Sequence, residues 1–275
     1  MDLLVLGASG LLGQEVLQQA RENRARVTGT YWTTPRQDTG TRWLQLDVRD
    51  PAQVSALLEE TRPDVIIDAA YRQDDWATTA EGPANVAKAA AEVGARLVFV
   101  SSDAVFSGED SPYSETAAPD PVTRYGAAKA AAETAVMALA PSAVVVRTSL
   151  IITDTGASSH EQRTVSAATG AGGALFVDDV RCPVHVGDLA SALLELTASD
   201  RFGVRHVAGP DAVSRYELGR LIATRDGLDP QRIPQARRGD LSPREPLDVR
   251  LDCSATLSGL RTRVRGARTF LVARS

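Results

Sequence analysis

The glycine-rich segment Gly7-Ala-Ser-Gly-Leu-Leu-Gly13 restricts how this chain can fold more than any other feature. It directly follows the strand-like run Leu3–Leu6 and leads into the helix-like stretch Leu11–Arg24. Glycines at this spacing permit a tight turn, let a ligand approach the backbone closely, and let the helix pack near the strand. The start of the helix adds unpaired N–H groups and the positive end of the helix dipole, which attract phosphate. Three glycines also fit an ordinary strand-to-helix turn, but their place after the first strand predicts a dinucleotide-binding loop.

The first half of the chain alternates strand-like and helix-like stretches. The strand-like stretches are short, continuous apolar runs, as expected for a sheet that is covered on both faces. The predicted strands are Leu3–Leu6, Arg26–Tyr31, Trp43–Leu46, Val65–Ile67, Leu97–Val100 and Val144–Arg147. The predicted helices are Leu11–Arg24, Ala52–Arg62, Gly82–Val93 and Tyr125–Ala140. This alternation predicts an α/β fold with a doubly wound parallel sheet that is Rossmann-like.

The second half is less regular, and we expect it to complete the sheet and to add a small C-terminal substrate lobe. We therefore divide the chain into a dinucleotide-binding core, residues 1–150, and a second part, residues 151–275. The expected elements of the second part are a loop with a short helix at Thr153–Gly173, a strand leading into a helix at Pro183–Ser199, a strand at Val204–Val207, a helix at Ser214–Asp226 and a loop at Leu228–Pro246. Ser214 and Glu217 have the spacing of a capping box at the start of their helix.

Composition excludes several classes of protein. Apolar residues make up 43% of the chain and the formal net charge is −5, which argues against a sequence-independent nucleic-acid binder. No apolar run approaches the roughly 18 residues that a membrane helix requires. The two cysteines, Cys182 and Cys253, have neither the spacing of a zinc site nor that of a disulfide framework. We therefore expect a cytoplasmic protein with no metal site.

Tyr125 and Lys129 form a Tyr-x-x-x-Lys pattern on a predicted helix, where residues four apart share a face. A lysine cation beside a phenol lowers the phenol pKa from about 10, so the tyrosine can donate a proton to a carbonyl oxygen as hydride reaches the carbon. Of the 30 basic residues only Lys88 and Lys129 are lysine. Because the chain uses arginine elsewhere, lysine at 129 indicates a need for a compact ammonium group. The alternative is an exposed lysine beside a packing tyrosine.

Ser101-Ser102-Asp103 ends the predicted strand Leu97–Val100, at the sheet edge where ligands bind in folds of this type. A hydroxyl at this edge is suited to hydrogen-bond a reacting carbonyl beside Tyr125, whereas a turn or a helix cap is the structural alternative. Together these patterns predict a reductase of a small-molecule carbonyl substrate, with Tyr125 and Lys129 as catalytic residues and a serine hydroxyl from the end of the neighbouring strand beside them.

The end of the second predicted strand bears on the choice of cofactor. A carboxylate about 20 residues after the glycine loop binds the ribose 2′-hydroxyl of NAD. This chain instead has Gly29-Thr-Tyr-Trp-Thr-Thr-Pro-Arg36, with hydroxyl groups and an arginine. We therefore expect NADPH to be preferred, with NADH as the alternative, and Arg36 to be either a phosphate contact or an ordinary surface residue.

A set of motifs, in this order along the chain, resembles the extended short-chain dehydrogenase/reductases, and within them the dTDP-4-dehydrorhamnose reductase family. The motifs are Gly7-x-x-Gly10-x-x-Gly13, Leu46-Asp47-Val48, Pro63-Asp-Val-Ile-Ile-Asp-Ala-Ala70, Val100-Ser-Ser-Asp-Ala-Val-Phe-Ser-Gly108, Pro112-Tyr-x-Glu115, Tyr125-Gly-x-x-Lys129 and Arg147-Thr-Ser149. The resemblance implies reduction of a ketone, either a 4-keto-sugar nucleotide or a related secondary-metabolite carbonyl. It also implies an alternative, because a relative of this fold is the regulatory β subunit of methionine adenosyltransferase, which binds NADP and a partner protein.

The resemblance implies roles for individual residues. Ser102 would orient the carbonyl, Tyr125 would be the general acid, and Lys129 would hold the nicotinamide ribose and tune Tyr125. The expected cofactor contacts are Gly7, Ser9, Gly10, Leu11, Leu12, Gly13, Thr30, Tyr31, Trp32, Arg36, Asp47, Val48, Ala69, Ala70, Tyr71, Ser101, Tyr125 and Lys129. The expected substrate contacts are Asp103, Phe106 and Ser149. A homodimer is the assembly that we consider.

Some positions depart from the family pattern. Asp68 stands where the family has an asparagine before two alanines, and Thr79 stands where a helix asparagine often takes part in a proton relay. Ala104 replaces a tyrosine in the motif that contains Ser102 and Phe106. These departures leave hydride chemistry in place and bear on the identity of the substrate.

A few further residues receive weaker interpretations. The residues Arg72, Trp76 and Arg181 are candidates for the substrate cleft because of their placement near the ends of predicted strands. The pair Asp178-Asp179 is interpreted as part of a turn. We interpret the three histidines, which lack metal-ligand spacing, as structural: His160, His185 and His206.

Overall fold

A computed structural model describes residues 1–36, 40–241 and 245–273 of the chain. Its main feature is a seven-stranded parallel sheet in the order β11-β6-β5-β4-β1-β2-β3. The strands of this sheet are β1 (Asp2–Leu6), β2 (Arg26–Tyr31), β3 (Arg42–Gln45), β4 (Val65–Asp68), β5 (Arg96–Ser102), β6 (Val144–Thr148) and β11 (Gly203–His206). The Rossmann-like sheet and each predicted strand of the first half are therefore confirmed, with ends that differ by one or two residues.

The strand order places the glycine loop at a reversal point of the sheet. Strand β1 pairs with β2 on one side and with β4 on the other, so that Val5 lies opposite both Gly29 and Ile67. From β1 the chain builds outward to β3 and then crosses over to β4 and β5. In open α/β sheets, ligands bind at the carboxyl ends of the strands at this kind of reversal.

Helices flank the sheet and continue into the second half of the chain. They are α1 (Leu11–Glu22), α2 (Pro51–Thr61), α3 (Gly82–Val93), α4 (Arg124–Leu139), α5 (Ser159–Ala168), α6 (Val186–Thr197), α7 (Arg215–Arg225), α8 (Ser254–Leu257) and α9 (Ala267–Phe270). Asp50 shows why α2 begins where it does. Its carboxylate accepts hydrogen bonds from the N–H groups of Ala52 and Gln53, and Pro51 occupies the first helical position. Leu57 and Leu58 of this helix are buried, so its apolar face adds to the core.

The chain forms two compact units, each assembled from three segments. The first unit contains Met1–Ser102, Arg124–Arg147 and Ala190–Arg205, and the second contains Asp103–Thr123, Thr148–Leu189 and His206–Ser275. The short strands of the second unit are β7 (Ile151–Ile152), β8 (Leu175–Phe176), β9 (Val180–Arg181), β10 (Val184–His185), β12 (Val213–Ser214) and β13 (Gln235–Ala236). They form the pairs β10–β7, β12–β9 and β13–β8. The division of function between residues 1–150 and 151–275 stays a prediction.

The second half contains more regular structure than the sequence predicts. Within the expected loop Thr153–Gly173, α5 is a full ten-residue helix. The expected loop Leu228–Pro246 contains β13 and a short 3₁₀ turn, and its residues 242–244 lie outside the described part of the chain.

The capping prediction for α7 is half correct. The Ser214 hydroxyl accepts a hydrogen bond from the N–H of Glu217, as expected, but the Glu217 carboxylate pairs with Arg268 at 2.5 Å. A complete capping box lies instead at the start of α5, between Ser158 and Glu161. The Ser-x-x-Glu spacing of those two residues is the sequence signal that could have located α5.

No helix within the described ranges is both long and apolar enough to cross a bilayer.

Candidate cofactor and catalytic site

The glycine loop packs tightly against the segment that follows β4. Gly7 has a φ of +70°, and a Cβ atom there would lie only 2.8 Å from both the Cα and the N of Ala70. A Cβ atom at Gly13 would lie 2.5 Å from the carbonyl oxygen of Gly7. The N–H of Gly7 also donates a hydrogen bond to the Thr30 hydroxyl, at 3.3 Å. Both glycines are therefore required by the fold itself, because no side chain fits at either position.

The amino end of α1 is open to a ligand. Gly10 occupies the N-cap position and is exposed, no side chain caps the helix, and its first turn has no acidic residue. A Cβ atom at Gly10 would meet only the Gly7 carbonyl oxygen, at 3.2 Å. Of the other predicted contacts in this loop, Ser9 and Leu11 are half-buried and Leu12 is buried. The unpaired N–H groups of this helix end fit the pyrophosphate of a dinucleotide.

The strand ends beside the loop carry most of the other predicted cofactor contacts. Thr30 is buried, Tyr31 is half-buried and Arg36 is exposed. After β3, Val48 is buried, and the carboxylate of Asp47 is held by Arg49, with 2.6 Å between Nη2 and Oδ2. Hydrogen bonds from this arginine keep the pKa of Asp47 below its ordinary value. Ala69 and Ala70 are half-buried where they contact Gly7.

Lys129 is the buried member of the three predicted catalytic residues. Tyr125 and Lys129 are one turn apart on α4, and Ser102 is the last residue of β5. Lys129 is only 3% exposed, and its Nζ donates a hydrogen bond to the carbonyl of Val100 at 2.9 Å. Tyr71 joins this group: its ring lies 5.5 Å from the lysine Nζ and 6.1 Å from the ring of Tyr125. The alternative of an exposed lysine is therefore wrong.

Two buried carboxylates affect the pKa of Lys129. Burial lowers the pKa of Lys129 to about 8, and the negative charges of Asp68 and Glu133 oppose that shift. Burial likewise raises the pKa of Asp68 to about 6, against a hydrogen bond from the N–H of Ala70 and the charge of Lys129. The aspartate at position 68 thus adds a titratable group next to the buried lysine.

A buried ion pair continues along the same face of α4. Glu133 follows Lys129 by four residues and pairs with Arg147 of β6, with 2.7 Å between Oε2 and Nη2. The Ser101 hydroxyl donates a hydrogen bond to the Glu133 carboxylate at 2.5 Å. Ser101 is 2% exposed, so its observed partner is this ion pair, and its role as a cofactor contact stays a prediction.

Thr79 has a different partner from the one that its family position suggests. It is buried, its hydroxyl donates to the Arg72 carbonyl at 2.7 Å, and the Arg72 N–H donates back at 3.1 Å. Thr79 therefore fixes the backbone after β4, immediately beyond Tyr71.

The predicted substrate contacts belong to the second unit. The Ser149 hydroxyl donates to Asp103 at 2.6 Å, and the Nε of Arg181 lies 3.9 Å from the same carboxylate. Phe106 is fully buried and stacks on Tyr113 with ring centroids 3.9 Å apart. Contact between these residues and a substrate stays a prediction.

An arginine cluster in the second unit was not predicted. Asp179, interpreted as part of a turn, is fully buried, and three guanidinium groups lie within ion-pair distance of its carboxylate: 2.7 Å for Arg181, 3.3 Å for Arg215 and 3.0 Å for Arg238. The interpretation of Asp179 as an ordinary turn residue is therefore incomplete. Residues that converge from β9, α7 and the segment after β13 leave no short-range sequence signal.

A small pocket opens beside this cluster. It is lined by polar and aromatic side chains that include His160, Arg163, Phe176, Arg215 and Arg238. Burial, together with the charges of the neighbouring arginines, lowers the pKa of His160 to about 3, so its Nδ1 accepts a hydrogen bond from Arg215 at 3.0 Å. The guanidinium of Arg238 lies 4.5 Å from the ring centroid of Phe176. Such a pocket suits an anion beside a flat ring.

The chain is similar in sequence and fold to several known proteins. It is 36% identical over 251 residues to the dTDP-4-dehydrorhamnose reductase of Mycobacterium tuberculosis, which covers 84% of this chain and 77% of that protein. It is 32% identical over 282 residues to methionine adenosyltransferase 2 subunit beta of Xenopus laevis, covering 91% and 80%. The crystal structure of Bacillus anthracis dTDP-4-dehydrorhamnose reductase in complex with NADP has the same fold, with a TM-score of 0.83, 22% identity, and coverage of 98% of this chain and 96% of that one.

The family model described as the RmlD substrate binding domain matches residues 1–269. This match spans both compact units and contains every residue of the site described above. The chain therefore belongs to the RmlD substrate-binding-domain family.

Proposed function

We propose that this chain is an NAD(P)H-dependent reductase that converts the ketone of a 4-keto-sugar nucleotide, or of a related secondary metabolite, to an alcohol. The observation that carries the proposal is the placement of Tyr125 one helical turn before the buried Lys129, with Ser102 at the end of β5. A compact cation beside a phenol is the arrangement that proton donation to a carbonyl requires.

The catalytic residues act on the carbonyl oxygen. When bound, NAD(P)H supplies a hydride to the carbonyl carbon. Tyr125 donates its phenolic proton to the oxygen, and the Ser102 hydroxyl hydrogen-bonds the same oxygen and orients it. Lys129 stabilises the resulting phenolate with its positive charge, while its hydrogen bond to Val100 holds the ammonium in place.

The arginine pocket supports a substrate that carries phosphate. Arg163, Arg215 and Arg238 line it together with the neutral His160, and the ring of Phe176 offers a flat surface. We propose that a phosphate group of a sugar nucleotide binds there, because arginine forks bind phosphate oxygens in pairs. The mycobacterial relative is named for a nucleotide-linked sugar.

The cofactor is proposed to be NADPH in preference to NADH. The described residues that follow β2, from Trp32 to Arg36, include no carboxylate that could accept the ribose hydroxyls. The Bacillus anthracis neighbour was crystallised with NADP.

The test is NADPH oxidation, followed by absorbance, with a dTDP-4-keto-6-deoxy sugar and with a simple ketone such as cyclohexanone. Tyr125→Phe keeps the ring and removes the proton donor, so turnover should fall by about 100-fold or more while NADPH still binds. Tyr216→Phe, which removes a hydroxyl from α7, is the matched control. Full activity of Tyr125→Phe would overturn the reductase mechanism.

A regulatory subunit is the second candidate, favoured by the similarity to methionine adenosyltransferase 2 subunit beta over most of the chain. A purified chain that binds NADPH, oxidises it with neither substrate, and raises or lowers the activity of a methionine adenosyltransferase would support this reading over the first.

Location and assembly remain part of the proposal. Both cysteines are buried thiols, which suits the reducing cytoplasm. Light scattering after gel filtration would distinguish the proposed homodimer from a monomer.

A further inference from the structure

Two arginines lie close to the indole ring of Trp32 at the carboxyl edge of the sheet. The guanidinium carbon of Arg72 is 4.6 Å from the ring centroid, and that of Arg49 is 5.3 Å from it. The three residues follow β2, β4 and β3, respectively. Trp32 is 45% exposed, so solvent and ligands reach this surface.

The two arginines differ in their charge partners. Arg49 pairs with Asp47 through two nitrogens, at 2.6 and 2.8 Å, and also lies 3.4 Å from Asp75. Arg72 forms no ion pair with a carboxylate in the described part of the chain, although its charge helps to lower the pKa of Asp75 from a longer distance. Within the described residues, Arg72 therefore brings a positive charge to this surface that no direct partner neutralises.

The backbone of Arg72 is held before any ligand binds. Buried Thr79 both donates to its carbonyl and accepts from its N–H. Stacking on Trp32 orients the side chain. A guanidinium that is already oriented loses less conformational entropy when it binds an anion.

The position of this group relates it to the adenosine half of a dinucleotide. Trp32 follows Thr30 by two residues, and Thr30 bonds directly to Gly7 of the phosphate-binding loop. The carboxylate of Asp47, which follows β3 and could accept a ribose hydroxyl, is already held by Arg49. Among the described residues, the Asp47 carboxylate is thus not free to accept from a 2′-hydroxyl, whereas Arg72 is a donor available to a 2′-phosphate.

We propose that Arg72, held on the face of Trp32, binds the 2′-phosphate of NADPH and makes this chain select NADPH over NADH. The inference rests on the proposed cofactor preference and names the residue that produces it. Arg49 has a supporting role, because it neutralises the Asp47 carboxylate that would otherwise repel a phosphate. Arg36, which the sequence offers either as a phosphate contact or as an ordinary surface residue, is exposed and is the competing candidate.

The test is titration calorimetry of wild type, Arg72→Ala and Arg36→Ala with four ligands: NADPH, NADH, 2′-phospho-AMP and AMP. The two variants make the same change of charge and side chain, so each is the control for the other. Arg72→Ala should raise the Kd for NADPH and for 2′-phospho-AMP about 10-fold or more and leave that for NADH and AMP within about twofold. Arg36→Ala should keep the ratio of the Kd values for NADPH and NADH close to that of wild type.

Three outcomes would overturn the inference, and they are separable from failure of the proposed preference. A wild type that binds NADPH and NADH equally removes the preference, and the inference with it. If wild type prefers NADPH, then equal loss of both cofactors in Arg72→Ala would make Arg72 a general contact. Loss of the preference in Arg36→Ala alone would assign the phosphate to Arg36.

Discussion

The ammonium group of Lys129 donates a hydrogen bond to the carbonyl oxygen of Val100 at 2.9 Å, and the rings of Phe99 and Tyr71 lie within 4.8 and 5.5 Å of it. This enclosure has little room for a planar guanidinium. Lys129→Arg keeps the charge, and we expect turnover to fall by about 10-fold or more because the larger group displaces Tyr125 or the cofactor.

The matched control is Lys88→Arg, the same change at the other lysine, which is exposed on α3. It should leave turnover and melting temperature unchanged. A Lys129→Arg protein that melts normally, binds NADPH and turns over at the wild-type rate would contradict the argument that the enclosed site requires lysine.

Substitutions at two glycines of the phosphate-binding loop should affect different properties: one the free energy of unfolding, the other the affinity for NADPH. Gly13→Ala places a methyl group 2.5 Å from the Gly7 carbonyl, so it should destabilise the fold by about 1–3 kcal/mol. Gly10→Val faces only a 3.2 Å contact and an open surface. It should fold with a smaller loss of stability and block the approach of the pyrophosphate to the backbone. Urea denaturation and calorimetry with NADPH measure the two effects, and unchanged NADPH affinity in Gly10→Val would remove the cofactor site from this loop.

Asp68 should give the protein a characteristic pH dependence. Its pKa in the folded chain is about 6, above the ordinary 3.8, so between these values the folded chain binds more protons than the unfolded chain. The free energy of unfolding contributed by this group therefore decreases as pH rises through that window. Asp68→Asn should lack the decrease, and the difference between wild type and variant, measured by urea denaturation from pH 4 to 7, should show it.

The same variant should shift the ionisation of Lys129. The Asp68 charge raises the lysine pKa toward its present value of about 8, so its removal should lower that pKa further. The alkaline limb of kcat should then move to lower pH. Asp74→Asn, at an exposed carboxylate of the same loop, is the control and should leave the limb in place. An unmoved limb in Asp68→Asn would mean that the two groups are not coupled.

Removing only one partner of the buried ion pair between Glu133 and Arg147 should lower the free energy of unfolding strongly. Both side chains are at most 5% exposed, so Glu133→Leu alone leaves an uncompensated charge and should cost about 3–5 kcal/mol of unfolding free energy. Adding Arg147→Met should recover most of that loss. Asp2→Asn, which breaks the exposed pair with Arg26, should cost far less unfolding free energy. Equal losses in the buried and exposed variants would argue against a structural role for the buried pair.

The sequence predicted those features that depend on short-range pattern. Continuous apolar runs gave the central strands, and the spacing of four between Tyr125 and Lys129 was enough to place both on one face of α4. The scarcity of lysine pointed to position 129 before its burial was known. The start of α5 was also readable from Ser158 and Glu161, although the glycines and small residues around them favoured a loop.

Features that depend on convergence of distant segments could not be predicted. Trp32, Arg49 and Arg72 stand after three different strands, and nothing in their local sequence indicates that two guanidinium groups share one indole. Asp179 presents the same difficulty, because its arginine partners come from three separate segments. Such contacts follow from the order of strands and from loop packing, which a single sequence does not determine.

The contact of Gly7 with Ala70 has a consequence for the order of events during synthesis. The loop belongs to the first strand, but the surface that shapes it arrives only with the fourth. A nascent chain that ends before Val65 contains all three glycines of the loop. It lacks the Ala70 backbone against which Gly7 packs. During synthesis, each molecule therefore contains the glycine motif before it can form the cofactor site.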